Sequence, residues 1–391
     1  MDDASYGALL ARPETRRLVA ALASAWSSFG MVGLAIFLTA YHARHSSGVA
    51  GVAVAAFSLG SGAVAPLRGR LVDRRGTRPW LLLFSAFYST CLVGLAVGVA
   101  LSSTPAVLIV LAGAAGVSAP PLIASIRGLW STVVDPDLLR RAYSLTSIVG
   151  DAALVFAPAL GGVLFALAWW TPLPVAALAA VAASAIVTGQ PVERRPAERP
   201  KGDARLFRSS FVVLLVVSVA LGAALGLVEV ATPTAATQWG ETGYAGFMLG
   251  GFALGSVLGS LWFGRCAWKA EPVRRYLLAT LLLAAALLPP ALAGDGPTLA
   301  VLLLVAGLGY GPATISLFEM LDMSAPDRAT EALTWVTTAE ALGLAAGAAA
   351  AGWLATSLGV WAPFVCGSAL LGGTAATALA LQLRTQTLPQ A

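Results

Sequence analysis

GRLVDRRGTR, residues 69–78, is the stretch that decides the fold of this 391-residue chain. Five arginines lie between Arg68 and Arg78, although only 11% of all residues are charged. A long apolar segment stands on each side of the stretch. Because charged side chains are costly in lipid, the pattern predicts a short aqueous loop between two membrane-spanning helices.

The composition of the whole chain is that of a membrane protein. Hydrophobic residues make up 58% of the sequence and the mean hydropathy is +0.81, whereas soluble domains contain ~45–50% apolar residues. The net charge of +5 comes from basic residues scattered over loops, which favours a lipid bilayer rather than a nucleic acid as partner. The three cysteines stand singly, without metal or redox spacing. We therefore expect no metal site and no bound cofactor.

The apolar segments predict an all-α polytopic membrane protein. A helix needs ~20 apolar residues to cross the hydrocarbon core of a bilayer. Division of the sequence at charges, prolines and glycine clusters predicts twelve transmembrane helices, at residues 17–41, 49–68, 80–101, 105–127, 137–167, 172–189, 209–236, 244–264, 273–294, 297–321, 327–357 and 360–383.

The distribution of basic residues predicts the orientation of these helices. If the N-terminus is cytoplasmic, Arg44 is the only one of the 24 Lys and Arg residues that falls on the outer side. Cytoplasmic loops carry such an excess of Lys and Arg in known membrane proteins. We expect a multi-pass protein of the cell (inner) membrane with both termini in the cytoplasm.

The helices divide into two groups of six. The polar stretch 190–210 predicts an N-terminal six-helix bundle (1–189), a cytoplasmic linker (190–208) and a C-terminal six-helix bundle (209–391). A shift of 195 residues aligns Gly51, Gly60 and Gly69 with Gly246, Gly255 and Gly264. This repeat predicts two pseudo-symmetric bundles around a central site. Chance similarity between apolar segments is the alternative.

The loop between the second and third predicted helices contains glycine, acid, base, glycine and base in a fixed order, at Gly69, Asp73, Arg74, Gly76 and Arg78. This order resembles the signature loop of the major facilitator superfamily of transporters, and the chain is identified as a bacterial, efflux-type member of it. The resemblance implies that the loop is a cytoplasmic gating latch, with Asp73 facing the N-terminus of the eleventh helix. Alternatively, the arginines only anchor the topology.

Two further segments bear on this resemblance. In the fifth predicted helix, Pro158, Gly161 and Gly162 form part of an element similar to the GPxxGG motif of antiporters in the same superfamily. The element favours export, although close packing of small residues explains it equally well. The fourth predicted helix lacks the arginine of many proton-coupled members, and Arg127 lies only at its cytoplasmic end.

Acidic residues inside the predicted helices are the best site candidates, because each costs ~2.5–3.5 kcal/mol at the membrane centre. Asp151, Glu229 and Glu340 lie in the fifth, seventh and eleventh helices, and Glu319 lies near the cytoplasmic end of the tenth. We expect these carboxyl groups to take up and release protons or to bind substrate as their access to water changes. A structural hydrogen bond between helices is the alternative.

Four other side chains are candidates for the lining of a central cavity. Trp26 and Trp335 lie deeper than the remaining tryptophans, which stand near the helix ends. Ser147 shares a helix face with Asp151, and Thr337 shares one with Glu340. Packing in the core or against lipid is the alternative for both tryptophans.

These features predict a secondary transporter rather than an enzyme. The sequence has no GxxxxGK[ST] phosphate-binding loop, which disfavours an ATP-driven pump. We expect a monomer that exports a small drug-like molecule or metabolite by alternating access, in exchange for protons and with the proton gradient as energy source. A proton-coupled or facilitated uptake carrier for a sugar or other metabolite is the alternative, and a membrane sensor or intramembrane enzyme is a remote one.

Overall fold

A computed structural model describes residues 12–134, 136–190, 209–266, 268–324 and 329–387, and in this part of the chain all regular structure is helical. The α-helices are α1 (Pro13–Arg44), α2 (Ser47–Arg75), α3 (Thr77–Ala100), α4 (Pro105–Ser118), α5 (Leu122–Val133), α6 (Pro136–Leu167), α7 (Pro172–Thr188), α8 (Ser209–Gln238), α9 (Ala245–Arg265), α10 (Pro272–Ala286), α11 (Gly296–Ser324), α12 (Ala329–Ser357) and α13 (Ala362–Thr387). Short 3₁₀ turns at Thr242–Tyr244 and Pro289–Leu292 complete the secondary structure of these ranges.

The predicted all-α membrane fold is confirmed. Within the described ranges, nine helical stretches are long and apolar enough to cross a membrane, and α4 and α5 together form one of them. Two shorter apolar helices lie at Pro172–Thr188 and Ala362–Ala376. The full number of twelve membrane crossings therefore stays a prediction.

Three predicted helices differ clearly from those observed. The predicted helix 49–68 continues to Arg75, so α2 includes most of the predicted loop 69–78. In the other two, proline is the reason. The predicted helix 105–127 is interrupted after Ser118 by Ala119, Pro120 and Pro121. The predicted helix 273–294 ends at Ala286, shortly before the pair Pro289–Pro290. Proline lacks a backbone N–H and its ring clashes with the preceding turn, so a pair of prolines breaks the hydrogen-bond ladder of a helix.

The packing of the helices repeats between the first and second parts of the chain. In the first part, α1 packs against α6 and α7, and α2 packs against α4. In the second part, α8 packs against α12 and α13, and α9 packs against α11. These pairs correspond under the repeat found in the sequence. The exact division at 190–208 stays a prediction, since residues 191–208 lie outside the described ranges.

Glycines allow the closest of these helix pairs, α8 with α12, to bring their backbones into contact. A Cβ added to Gly222 would collide with the carbonyl oxygen of Glu340, and one on Gly226 would collide with that of Leu344. In the opposite direction, a Cβ on Gly347 would collide with the carbonyl of Ala223. Membrane helices associate through such close packing, because lipid tails leave no hydrophobic force to drive them together.

Two glycine contacts, which we call the outer seams, join the first part of the chain to the second. We call the ends of the helices at loops 45–46, 101–104, 168–171, 239–244 and 358–361 the outer ends, following the predicted orientation. One seam joins Gly51 of α2 to Gly352 of α12, and the other joins Gly246 of α9 to Gly162 of α6. Gly51 and Gly246 are partners in the 195-residue repeat, so the two seams are pseudo-symmetric.

We predict that Gly246→Leu forces the outer seams apart. A Cβ at this position would collide with the carbonyl of Pro158, and overpacking costs ~1–3 kcal/mol. Spin labels at the exposed outer-loop positions Leu101 and Leu358, in a cysteine-free background, should report a longer distance than in the parent protein. Gly373→Leu is the control, since a Cβ on Gly373 meets nothing within 4 Å. An unchanged distance in the Gly246 variant would contradict the prediction.

Candidate functional site

Helix α1 connects the candidate residues of the two parts of the chain. The indole of Trp26 lies against α6, where a Cβ on Gly150 would be 3.0 Å from its Cε2 atom. Gly150 precedes Asp151 in the sequence, so Trp26 lies beside the position of that acid. Seven residues further along α1, a Cβ on Gly33 would lie 4.0 Å from Oε2 of Glu229 on α8. One helix thus contacts the neighbourhood of both acids.

Glu229 and Glu340 share an environment with a tyrosine that the sequence analysis missed. The hydroxyl of Tyr310, on α11, donates a hydrogen bond of 3.3 Å to Oε1 of Glu340 on α12. Glu229 lies on α8, which packs against both α11 and α12. We call Glu229, Tyr310 and Glu340 the acid–tyrosine cluster. The signal for it was the position of Tyr310 near the middle of the tenth predicted helix, where a phenol needs a partner.

Asp151 stands apart from this cluster. Its side chain is exposed, and it makes no hydrogen bond or ion pair with the residues that the structure describes. None of the contacts within these ranges links Asp151 to Glu229 or Glu340. Asp151 of the first part is therefore placed apart from Glu229 and Glu340 of the second. A membrane-embedded acid without a partner has to be hydrated or protonated.

Glu319 forms an ion pair away from the acid–tyrosine cluster. Its Oε2 atom lies 2.9 Å from Nη2 of Arg275, and Nη1 of Arg275 lies 3.3 Å from Oε1. The guanidinium of Arg275 also lies 5.8 Å from the centre of the Phe263 ring. These contacts tie α9, α10 and α11 together at their inner ends. The geometry favours a structural role for Glu319, one of the four acids that the sequence singled out.

The four cavity-lining candidates differ in their exposure and in their hydrogen bonds. The hydroxyl of Ser147 donates to the carbonyl of Tyr143, at 3.4 Å, and that of Thr337 to the carbonyl of Leu333, at 3.0 Å. Both side chains are exposed and bond only within their own helices. Trp335 is 43% exposed. Trp26 is partly buried, and its indole nitrogen finds no hydrogen-bond partner among the described residues.

The predicted loop 69–78 is shorter in the structure, because α2 continues to Arg75 and α3 begins at Thr77, so that Gly76 alone forms the turn between them. Gly76 has φ +92°, a conformation that other residues rarely adopt, which explains the second glycine of the loop. Arg78 is exposed on the first turn of α3, whereas the side chains of Asp73 and Arg74 lie outside the described part. A Cβ on Gly69 would meet nothing within 4 Å. Nothing in this conformation therefore requires the first glycine, and the latch stays a prediction.

The element Pro158, Gly161 and Gly162 of α6 lies at contacts between helices. Gly161 faces Met31 of α1. Pro158 and Gly162 form the outer seam with Gly246 of α9. Close packing thus accounts for all three residues, and two of them lie where the first part of the chain meets the second.

Comparisons with known proteins agree with this architecture. The family model of the Major Facilitator Superfamily matches residues 18–348. The human organic anion transporter MFSD10 aligns with 94% of this chain and 100% of its own, at 18% identity and a TM-score of 0.64. A mutant of the nucleoside transporter NupG covers 94% of this chain and 99% of its own, at 13% identity and a TM-score of 0.74.

A third solved structure is a bacterial homolog of the human lysosomal transporter Spinster, in an inward-facing and unoccupied conformation. It covers 94% of this chain and 95% of its own, at 13% identity and a TM-score of 0.63. At such identities these likenesses show the fold alone. A search of curated protein sequences finds no match.

We predict that Glu319 and Arg275 are energetically coupled. In a double-mutant cycle of Glu319→Gln and Arg275→Met, read as unfolding in detergent, the coupling should be ~0.2–1 kcal/mol, as for other partly exposed ion pairs. Arg275→Met combined with Glu271→Gln serves as the control, because Glu271 is exposed and makes no described ion pair. A coupling of zero for the first pair would show that the ion pair does not stabilise the protein.

Proposed function

The chain belongs to the major facilitator superfamily of membrane transporters, and we propose that it exports a small drug-like molecule or metabolite in exchange for protons. The transported molecule is a substrate that crosses the bilayer unchanged, so the protein is not an enzyme. The acid–tyrosine cluster is the observation that carries the proposal.

Acids within the membrane-spanning helices supply the chemistry of coupling. Glu229 and Glu340 are partly buried, Glu340 accepts a hydrogen bond from Tyr310, and Asp151 is exposed on α6. An apolar surrounding favours the neutral form of a carboxyl group, whereas water or a cationic ligand favours the charged form. A transporter can therefore exchange a proton for a cationic or amphiphilic substrate at such a group. No ATP is needed, because proton entry down its gradient drives the exchange.

The outer seams support an alternating-access cycle for this transport. Gly51 with Gly352, and Gly246 with Gly162, bring the backbones of the two parts of the chain together at the outer ends. Further in, a Cβ on Gly62 of α2 would still collide with Ala341 of α12, whereas at the inner ends a Cβ on Gly69 or Gly264 would meet nothing within 4 Å. This arrangement fits an inward-facing state, given the proposed orientation with cytoplasmic termini. Opening of both seams and closure around the Gly69 loop would produce the outward-facing state.

Transport in proteoliposomes tests both coupling and direction. Purified protein is reconstituted with ethidium, a fluorescent cationic amphiphile, and a pH gradient of either sign is imposed. Proton-coupled export predicts that ethidium moves uphill in the direction opposite to the protons. Movement in the same direction as the protons would support the uptake carrier instead. A thermal-shift screen of drugs, sugars, amino acids and other metabolites then identifies preferred substrates, because a ligand that binds the folded state raises its stability.

We predict that amide substitutions of the three acids uncouple transport from protons. Asp151→Asn, Glu229→Gln and Glu340→Gln should each reduce pH-driven uphill transport about tenfold or more, within the usual range of coupling between two ligands. The rate should also lose its dependence on pH, because an amide does not titrate. Glu271→Gln, on an exposed residue outside the helices, is the control. Unchanged uphill transport and pH dependence in all three variants would rule out the proton role.

We predict that Asp73→Asn slows transport more than any substitution of Arg265. Gly264 and Arg265 repeat Gly69 and Arg70 in the second part of the chain, but no acid follows at the position equivalent to Asp73. The proposed latch thus has a single acid that can face a helix N-terminus. Initial transport rates of Asp73→Asn and Arg265→Gln provide the comparison. Equal or reversed effects would contradict the one-sided latch.

A further inference from the structure

The fourth membrane span is broken by two adjacent prolines. Helix α4 ends at Ser118 and α5 begins at Leu122. In a continuous helix, the N–H groups of residues 120 and 121 would donate to the carbonyls of Gly116 and Val117. The N–H of Ala119 donates to the carbonyl of Gly116 at 3.1 Å, but proline has no N–H, so both carbonyls lose the donors that a continuous helix would supply. Within a bilayer there is little water to replace them, and each unsatisfied group is costly.

Arg68 of α2 supplies donors to these same two carbonyls. Its Nη1 atom lies 2.5 Å from the carbonyl oxygen of Gly116 and 3.0 Å from that of Val117. Its Nη2 atom lies 2.6 Å from the carbonyl oxygen of Ser61 on its own helix. The side chain is only 4% exposed. The positive guanidinium also lies at the C-terminus of α4, where the helix dipole is negative.

The second part of the chain has neither the arginine nor the break. Under the 195-residue repeat, the position of Arg68 is occupied by Phe263, whose ring stacks on Trp268 at 5.0 Å. Helix α11, the counterpart of α4 and α5, continues through Pro312, the one proline beyond its first turn. The arginine and the proline pair therefore occur together in one half of the repeat.

A cavity of about 160 Å³ lies beside the break. Its lining includes Arg68, Ser61, the hydrogen-bonded hydroxyls of Ser28 and Tyr88, and the first turn of α5 at residues 122–124. The first turn of α5 borders this space directly. An interrupted ladder next to a cavity is the geometry of a hinge.

Arg68 is also the residue immediately before the predicted gating loop, whose first residue is Gly69. Both lie on α2, so a tilt of the inner end of α2 displaces the guanidinium. Because Arg68 binds the last carbonyls of α4, such a displacement acts directly on the break. Movement of the loop and bending of the fourth span are thereby mechanically connected.

We propose that Arg68 is a positioning residue that replaces the N–H groups missing at Pro120 and Pro121 and couples this hinge to the gating loop. The coupling part rests on the proposed alternating-access transport. The claim that Arg68 replaces the missing N–H groups does not depend on transport, because it concerns the stability of the fold. Two measurements separate these parts.

Thermal unfolding in detergent tests whether Arg68 replaces the missing N–H groups, and this measurement needs no substrate. Arg68→Met should lower the melting temperature, because the carbonyl of Val117 then has no donor and that of Gly116 keeps only the N–H of Ala119. The pair Pro120→Ala with Pro121→Ala restores two backbone N–H groups, so Arg68→Met should lower the melting temperature much less in that background. Arg70→Met is the matched control, as Arg70 is exposed on the same helix, and its effect should be the same in both backgrounds.

Two results would contradict the proposal that Arg68 replaces the missing N–H groups. One is an equal loss of melting temperature for Arg68→Met in both backgrounds, and the other is no loss in either. If Arg68→Met alone fails to fold, recovery of folded protein in the Pro120→Ala, Pro121→Ala background supports the proposal, and failure to recover it refutes it. Arg68→Lys should give an intermediate result, since an ammonium cannot reproduce the fork of a guanidinium.

Ethidium transport in proteoliposomes tests the coupling to the loop. The triple variant with Arg68→Met, Pro120→Ala and Pro121→Ala should be stable but transport about tenfold or more slowly than the parent protein, as expected when a hinge is lost. Full transport by this stable variant would refute the hinge. If the parent protein itself moves no ethidium, the proposed function fails in that respect, while the melting-temperature cycle still decides the role of Arg68.

Discussion

The requirement that every backbone N–H and C=O inside a membrane finds a partner within the protein governs this structure. It explains why the described chain is helical throughout, since a helix satisfies these groups within one segment. It also explains the exception. Where Pro120 and Pro121 remove two donors, the guanidinium of Arg68 reaches from α2 to the carbonyls of Gly116 and Val117. A buried positive charge is tolerated there because it bonds to three carbonyls and faces the negative end of a helix.

Glycine determines where the two parts of the chain approach each other most closely. The outer seams at Gly51 with Gly352 and at Gly246 with Gly162 place backbone against backbone, so that even one methyl group would collide. Small contact surfaces of this kind can separate without exposing large side chains. Because lipid gives no hydrophobic penalty for such separation, the seams are suited to an interface that opens and closes in a transport cycle.

The charged groups within the helices fall into two kinds. Arg275 with Glu319 is a paired charge whose partner lies within 2.9 Å, and pairing of this kind stabilises the packing of helices. Glu229, Glu340 and Asp151 have no basic partner among the described residues, and only Glu340 has a hydrogen bond, from Tyr310. An acid without a compensating base is the kind that can change its protonation. This difference, rather than the presence of an acid in a helix, separates the proposed site from the scaffold.

The sequence by itself determined the helical membrane fold, the family and the correspondence of Gly51 with Gly246, because hydrophobic length, charge and repeats are properties of the linear chain. Only the tertiary structure decided that Arg68 serves the break in the fourth span, 48 residues away, that Tyr310 bonds Glu340, and that Glu319 is paired with Arg275. Such contacts depend on how each helix is rotated and how deep it lies against its neighbours. In a chain that is apolar on nearly all faces, periodicity does not reveal that rotation, and it is the packing of small residues between helices that sets it.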